Sequence, residues 1–292
     1  MTVLVTGATG FIGRHVLQRL AGRHDVVALA RRDPPAELAG LARWVRQDLS
    51  GPLDPAVLPE RLDTVLHLAQ SPRYREFPEG AEDMLAVNVH APAALLDHAR
   101  HAGARRFVLC STGGVYGHHA ARVDEDQRVA PIGFYQASKY AAEVLLAPYG
   151  ALLTTVVLRP FFVYGPGQRG MLVAALAQRV LAGEEVTVDG DPGLRINPIH
   201  VADAARAIEA ALALDAPAII NVAGDEAVSI TDLARGLADA AGSLPRIAHR
   251  DAAAAGDLLG ANARMKSLLG VVPQVALADG LRDVVDELRA PL

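Results

Sequence analysis

Short apolar runs alternate with longer stretches of helical periodicity through the first 160 residues of the chain. Apolar runs at residues 3–5, 26–30, 64–68, 107–110 and 155–158, and a shorter one at 43–46, predict strands. Apolar residues three and four apart predict helices over 11–20, 81–102 and 135–146. This alternation favours a mainly parallel sheet with helices on both faces.

The alternation loosens after Pro160, where Gly165-Pro166-Gly167 interrupts the pattern. Helices are predicted over 171–182, 201–214, 230–241 and 277–288, and short strands over 186–188 and 219–222. We therefore predict an α/β protein whose first domain covers residues 1–160 and whose smaller second lobe lies mainly in 161–292. A segment of about 196–225 is expected to return to the first domain.

The composition argues against a nucleic-acid-binding, disulfide-linked or membrane-spanning protein. Hydrophobic residues make up 51% of the 292, and the formal net charge of −5 gives no basic footprint for nucleic acid. Cys110 is the only cysteine, which excludes an internal disulfide and fits a reducing, cytoplasmic setting. We expect no signal peptide and no membrane span. We also expect no metal site, because His118 and His119 are adjacent on a loop without further ligands.

A glycine-rich turn follows the first predicted strand, where residues 6–13 read Thr-Gly-Ala-Thr-Gly-Phe-Ile-Gly. A strand that turns sharply into a helix offers backbone amides and a positive dipole to a phosphate, provided that side chains do not block the approach. The spacing Gly7-x-x-Gly10-x-x-Gly13 differs from the G-x-G-x-x-G of long dehydrogenases. The alternative of an ordinary strand–helix turn is disfavoured by the flanking strand and helix. The sequence thus predicts a Rossmann-type doubly wound parallel sheet that binds a dinucleotide.

The end of the second predicted strand bears on the choice between NADP and NAD. An acidic residue there binds the adenosine 2′-hydroxyl, whereas arginine accommodates a 2′-phosphate. This chain has Arg31 and Arg32 after Ala30, and no carboxylate before Asp33. We expect Arg31 to stack on adenine and bind a phosphate, with a solvated basic turn as the alternative. NADP(H) is accordingly expected to bind at least as well as NAD(H).

Tyr135 and Lys139 stand four residues apart on a predicted helix, which places the phenol and the ammonium on one face. A positive charge there is expected to lower the tyrosine pKa from its free value of about 10. Tyr135 is therefore a candidate acid or base.

The glycine turn, the Tyr135/Lys139 pair and residues 111–117 together resemble the extended short-chain dehydrogenase/reductases, a group of nucleotide-sugar epimerases, dehydratases and reductases. Residues 65–69, 158–167, 199–203 and 269–273 extend the resemblance over essentially the whole chain. It implies a homodimer joined through the helices predicted at 81–102 and 135–146. We expect apolar surface there from Met84, Leu85, Ala91, Ala94, Leu95 and Ala99, with the alternative that the chain's own sheet covers this face.

The resemblance also implies roles for individual residues. Thr112 matches the catalytic hydroxyl, Tyr135 the acid/base, and Lys139 its modulator and ribose ligand. The predicted cofactor-binding residues are Gly7, Thr9, Gly10, Phe11, Ile12, Gly13, Arg31, Arg32, Asp48, Leu49, Leu68, Ala69, Asn88, Tyr135, Lys139 and Pro160.

Departures from the family pattern concern the substrate. Gly113 and Gly114 replace the acidic pair of the dehydratases, which argues against a 4,6-dehydratase. Phe162 stands where many members carry an asparagine near the diphosphate, and Arg195 is displaced by one position. The predicted substrate-binding residues are Gly113, Phe162, Arg169 and Arg195, where the two arginines either bind an anionic group or are ordinary surface charges. The polar loop at 71–80, with Arg73, Tyr74 and Arg75, is a candidate substrate flap.

These features predict an NAD(P)-dependent oxidoreductase or epimerase that moves a hydride and a proton at a sugar hydroxyl or keto carbon. A nucleotide-sugar epimerase and a ketoreductase share this chemistry. The alternatives are a non-catalytic NADP(H) sensor on the same fold and a reductase of a non-sugar ketone. The presence of Thr112, Tyr135 and Lys139 together disfavours the sensor.

Overall fold

The computed structural model describes residues 1–252 and 256–290. Its strands are Thr2–Thr6 (β1), Asp25–Ala30 (β2), Arg43–Arg46 (β3), Thr64–His67 (β4), Arg106–Cys110 (β5), Thr154–Pro160 (β6), Val163–Tyr164 (β7), Glu185–Asp189 (β8), Arg195–Ile196 (β9), Ile199–His200 (β10), Ala218–Val222 (β11), Val228–Ser229 (β12) and Arg246–Arg250 (β13). Seven of them form one parallel sheet in the order β11-β6-β5-β4-β1-β2-β3. The predicted doubly wound parallel sheet is confirmed.

The α-helices are Phe11–Leu20 (α1), Ala36–Ala39 (α2), Ala81–Leu85 (α3), Ala91–His101 (α4), Phe134–Leu146 (α5), Leu172–Leu181 (α6), Val201–Ala211 (α7), Ile230–Ala241 (α8), Ala263–Leu269 (α9) and Leu277–Arg289 (α10). The single helix predicted over 81–102 is interrupted, because a π-helical turn at Ala86–His90 separates α3 from α4. The helix predicted over 201–214 ends earlier, at Ala211. The strand β13 and the helix α9 were not predicted.

Apolar residues from the strands fill two layers on opposite faces of the sheet. One layer joins β1 and β6 to α1 and α7, with Val16, Leu17 and Ile208 fully buried. The other joins β4 and β5 to α4 and α5, with Leu95 and Leu146 at its centre. The strands β1, β4, β5 and β6 are therefore buried on both sides, which is why their sequences are nearly continuous apolar runs rather than alternating ones.

The second lobe packs α6, α8 and α10 around the small parallel pair of β8 and β13. Within it, Val186 and Val188 alternate with exposed residues, as expected for a strand that buries one face. The chain then returns to the first domain, where β11 pairs with β6 at the edge of the main sheet. This crossing back and forth places the second lobe beside the carboxyl ends of the strands.

The connections of the sheet reverse direction between β1 and β4. From β1 the chain proceeds to β2 and β3 on one side, and β4, β5 and β6 follow on the other. In open α/β sheets a ligand binds outside the carboxyl ends of the strands at such a switch point. The topology alone therefore predicts that a ligand binds at the loops after β1, β4 and β5.

The surface expected to join two copies of the chain needs correction. Met84, Ala91, Leu95 and Ala99 are buried in the core of their own chain, so they offer no surface to a partner. Leu85 and Ala94 are exposed, and α5 adds the exposed apolar residues Val144 and Leu145. The sheet covers Ala91, Leu95 and Ala99, because they lie on the inward face of α4, and Met84 is buried on α3. Within the described ranges, no helix is both long and apolar enough to cross a bilayer.

Candidate active site

A cavity of about 880 Å³ runs along the carboxyl edge of the sheet, between the two lobes. Its volume lies within the range of roughly 300–1,000 Å³ that is typical of small-molecule sites. Arg32, Asn88, Gly113, Lys139, Arg169 and Arg195 are not part of its lining. The other predicted site residues line it: Gly7, Thr9, Gly10, Phe11, Ile12, Gly13, Arg31, Asp48, Leu49, Leu68, Ala69, Thr112, Tyr135, Pro160 and Phe162.

Two glycines of the turn, Gly7 and Gly13, leave no room for a Cβ atom. Gly7 has a φ of 72°, and a Cβ there would lie 2.7 Å from the amide nitrogen of Ala69. A Cβ at Gly13 would lie 2.0 Å from the carbonyl oxygen of Gly7. Gly10 caps α1 without any side-chain hydrogen bond, so the first amides of the helix are left for an anionic ligand. The turn therefore fits the pyrophosphate of a dinucleotide.

The opposite wall of this end of the cavity carries Arg31, Asp48 and Leu49. Asp48 accepts hydrogen bonds from the amide of Ser50, at 3.0 Å, and from its hydroxyl, at 2.9 Å. The backbone hydrogen bond from Ser50, helped by the Ser50 hydroxyl and Arg31, holds the pKa of Asp48 below its usual value against desolvation. Asp48 is thus a fixed carboxylate that faces an exposed arginine across a space suited to an adenosine.

Tyr135 lies in the first turn of α5, and its ring lines the cavity. Its hydroxyl donates a hydrogen bond to Oε1 of Gln70 at 2.8 Å, and Thr112 lines the same cavity. The Thr112 hydroxyl accepts a hydrogen bond from the amide of Gly114 at 3.1 Å, which fixes its orientation. Two hydroxyls and one amide therefore converge where a substrate oxygen would exchange a proton.

The pKa of Tyr135 is raised, not lowered. Burial is the main cause, with Cys110 and Tyr74 adding to it and the hydrogen bond to Thr112 opposing it. Burial also lowers the pKa of Lys139, against Cys110 and Glu143, which raise it. The predicted lowering of the Tyr135 pKa is wrong for this arrangement, because desolvation of the phenol is the largest cause of the shift.

Lys139 is almost fully buried, and a chain of hydrogen bonds holds the helix that carries it. Asn88, in the π-helical turn, donates from Nδ2 to the hydroxyl of Ser138 at 2.9 Å. Its Oδ1 accepts from the amide of Ser71 at 2.9 Å. Since π-helical turns are frequent at functional sites, the widened turn is best explained by the need to place Asn88 between α5 and the loop after β4.

Position 113 cannot carry a side chain in this fold. A Cβ on Gly113 would lie 2.5 Å from the ring of Phe161, and a Cβ on Gly260 would lie 2.6 Å from the same ring. Phe161 is buried between these glycines and stacks on Tyr116 at a centroid distance of 6.1 Å. An acidic residue at 113 would have to displace this ring. The packing of Phe161 thus gives a steric reason for the absence of an acidic residue at 113.

Phe162 lines the cavity with a φ of 43°, in the left-handed region. This conformation is uncommon for residues other than glycine and asparagine, and a bulky ring there is a local strain of roughly 1–3 kcal/mol. The strain is offset by packing, because Phe162 contacts the apolar core of the second lobe. The backbone shape expected for an asparagine is therefore kept, while the side chain is apolar.

The two arginines predicted to bind an anionic group are paired with carboxylates. Arg169 lies 3.3 Å from Glu287, and Arg195 donates to Asp257 through Nε at 2.9 Å. Both side chains are more than half exposed and lie outside the cavity lining. Their charges are thus already neutralised by partners far along the chain.

Residues 70–77, which we name the strap, form a wall of the cavity that the sequence identified only as a candidate flap. The ring of Tyr74 packs on that of Tyr135 at 5.3 Å, and Phe77 stacks on Phe134 at 5.1 Å. Gln70, Tyr74, Arg75, Phe77, Phe134 and Met171 all line the cavity. Tyr74 and Arg75 were named in the candidate flap, and the signal that could have found Gln70 and Phe77 is their place after β4, at the edge where ligands bind.

A buried polar network lies behind the site. Arg159, next to Pro160, donates to both carboxylate oxygens of Glu143 and, at 2.7 Å, to the hydroxyl of Tyr116. Glu143 also accepts a short hydrogen bond from Ser111, the neighbour of Thr112. Because Glu143 lies one turn beyond Lys139, this network ties together the segments that present the predicted catalytic residues. Among residues 1–252 and 256–290 no three His, Cys, Asp or Glu side chains converge as a metal site.

The chain is similar to known proteins along its length. Residues 3–223 match the model of the NAD dependent epimerase/dehydratase family. A dTDP-4-dehydro-6-deoxy-D-allose reductase from Streptomyces sp is 35% identical, over 80% of this chain and 79% of that protein. A UDP-glucose 4-epimerase from Mycolicibacterium smegmatis is 32% identical, over 99% of both chains.

A solved structure, MoeE5 in complex with UDP-glucose and NAD, superimposes with a TM-score of 0.86 at 32% identity and covers 99% of both chains. The Rossmann-type fold and the family predicted from the sequence motifs are therefore confirmed. With its glycine turn, its Tyr135/Lys139 helix and a family match over most of its length, the chain belongs to the NAD dependent epimerase/dehydratase family.

Proposed function

We propose that this protein transfers a hydride and a proton at a hydroxyl or keto carbon of a nucleotide sugar, as a ketoreductase or an epimerase that uses NADP or NAD. The observation that carries the proposal is that Tyr135 and Thr112 share one cavity with the glycine turn. A dinucleotide site and a proton donor beside one another are what such a reaction requires.

Each residue has a distinct task. Gly7, Gly10 and Gly13 bind the pyrophosphate, and Arg31 with Asp48 holds the adenosine. A nicotinamide dinucleotide, when bound, supplies the exchange of a hydride with the substrate carbon. Thr112 orients the substrate oxygen, and Tyr135 gives its proton to that oxygen or takes it back. We propose that Lys139, buried one helical turn beyond Tyr135 and outside the cavity lining, modulates the phenol.

A protonated Tyr135 phenol can donate to a keto oxygen in the reductive direction. The similarity to a dTDP-4-dehydro-6-deoxy-D-allose reductase supports that direction. The similarity to a UDP-glucose 4-epimerase supports the reversible use of the same residues. We propose a deoxy or keto sugar nucleotide as substrate, because Phe162 offers an apolar edge to the sugar.

Further parts of the proposal concern organisation. We propose that residues 1–160 bind the dinucleotide and that 161–292 mainly bind substrate, with about 196–225 returning to the first domain. The pairing of β11 with β6 supports this division. We also propose that the enzyme works in the cytoplasm as a homodimer. Its single, buried cysteine supports the former and the exposed Leu85, Val144 and Leu145 support the latter.

The test begins with the nucleotide that co-purifies, identified by mass spectrometry after denaturation. Retained NAD+ would favour an epimerase, and NADP(H) would favour a reductase. The protein is then incubated with UDP-glucose, and with a dTDP-4-keto-6-deoxy sugar plus NADPH, and products are separated by chromatography. A protein that binds dinucleotide but converts neither sugar would favour the sensor or a non-sugar ketone instead.

A further inference from the structure

Positive charge is scarce in the cavity. Arg31 and Arg75 are the only lysine or arginine side chains of the described ranges that line it, and Asp48 is the only carboxylate. Arg31 and Asp48 lie together at the adenosine end. Among the described residues that line the strap side of the cavity and the surroundings of Tyr135, Arg75 is the only cation and no carboxylate is present.

Arg75 is held in place by neutral groups. Its Nη1 donates to the carbonyl oxygen of Gly170 at 2.8 Å, and its guanidinium lies over the ring of Tyr74, 5.2 Å from the centroid. The same Tyr74 ring packs on Tyr135. A guanidinium has five N–H donors in a planar fork, and neither of these contacts takes its charge. Arg75 thus stands one aromatic ring away from the predicted catalytic phenol, oriented and uncompensated.

We propose that Arg75 of the strap binds the diphosphate of the substrate, in place of Arg169 and Arg195. This inference rests on the proposed function, because it assumes a nucleotide-sugar substrate. Arg169 and Arg195 already pair with Glu287 and Asp257, so a diphosphate would have to displace a carboxylate from either one. Arg75 needs no such displacement, and its fork matches two phosphate oxygens.

Arg75 and Tyr74 also connect the strap to the segment before α6. Its contact with Gly170, and that of the Tyr74 hydroxyl with Met171 at 2.9 Å, join the strap to the segment that leads into α6. A diphosphate bound by Arg75 would lie where the two lobes meet, beside Phe162 and Met171. The strap would then hold the substrate by its charged part and leave the sugar to face Tyr135.

The experiment measures binding of UDP and of dTDP to the purified protein by titration calorimetry. Arg75→Gln should weaken the tighter of the two about ten- to hundredfold, the loss expected for charge-assisted hydrogen bonds. Arg73→Gln is the matched control, because Arg73 is on the same strap, pairs with Glu76 and does not line the cavity. Arg73→Gln should leave the affinity unchanged, and Arg75→Lys should recover part of it. Affinity for the dinucleotide reports on folding and should be the same in all variants.

The outcomes separate this inference from the proposed function. If the wild type binds UDP or dTDP and Arg75→Gln binds it equally well, Arg75 does not bind the diphosphate, and the proposed function stands. A loss in Arg195→Gln but not in Arg75→Gln would return the role to Arg195. If the wild type binds neither nucleotide, the nucleotide-sugar function fails and the inference fails with it.

Discussion

Glu143 and Arg159 form an ion pair whose removal should be the most damaging single change behind the active site. Arg159 Nη2 and Glu143 Oε2 are 2.6 Å apart, and their side chains are only 3% and 4% exposed. Substitution Glu143→Gln keeps the shape of the side chain and removes its charge. It leaves the guanidinium of Arg159 without a counter-charge in a place that water does not reach.

The magnitude follows from burial. Removal of one partner of a buried pair costs about 3–5 kcal/mol, because the remaining charge is desolvated without compensation. Arg159 keeps its hydrogen bond to Tyr116 and its stacking on that ring, 4.7 Å from the centroid, so the lower part of this range is expected. The double variant Glu143→Gln/Arg159→Met removes both charges and should cost less than Glu143→Gln alone.

The assay is urea unfolding followed by circular dichroism, with the free energy of unfolding compared between variants. The chain offers a matched control in Glu76→Gln, which breaks the Arg73–Glu76 pair, also 2.6 Å long but about half exposed. That pair is screened by solvent, so no resolvable change is expected. If Glu143→Gln is no more harmful than Glu76→Gln, burial does not set the cost of this network and the reasoning fails.

Four further predictions concern function and assembly. Tyr135→Phe should keep dinucleotide affinity and lower kcat by ~10²–10⁴-fold, the contribution of a general acid or base; near-normal kcat on a converted substrate would remove Tyr135 from that role. Arg31→Ala should weaken NADP(H) more than NAD(H) in fluorescence titrations of both, whereas an equal loss for the two would leave Arg31 as a plain basic turn. Phe162→Asn should tighten UDP-galactose binding and weaken binding of a 6-deoxy keto sugar nucleotide, both measured by calorimetry. The reason is that asparagine tolerates the φ of 43° and adds an amide donor. Unchanged selectivity would show that the ring does not face the sugar. Leu145→Glu should turn the dimer into a monomer, as measured by light scattering, because the Leu145 side chain is 43% exposed. A wild type that is already monomeric at micromolar concentration would reject the dimer.

The sequence by itself determined the fold and the chemistry that is local in the chain. Strands such as β1 and β5 are continuous apolar runs, because a sheet covered on both faces leaves them no polar side. The helix α1 begins at the residue expected from the glycine turn, since a strand can turn into a helix over a phosphate in few ways. The four-residue spacing of Tyr135 and Lys139 likewise needs only a helix to place them on one face.

Only the tertiary structure decided the electrostatics and the shape of the substrate end. Whether Arg169 and Arg195 are available depends on Glu287 and Asp257, which the fold brings to them from distant parts of the chain. The pKa of Tyr135 depends on desolvation and on the neighbouring Cys110 and Tyr74, and the burial of Leu95 depends on which face of α4 meets the sheet. These properties arise from long-range packing. A sequence states which residues are present near one another in the chain, but neutralisation and desolvation depend on which residues meet in space.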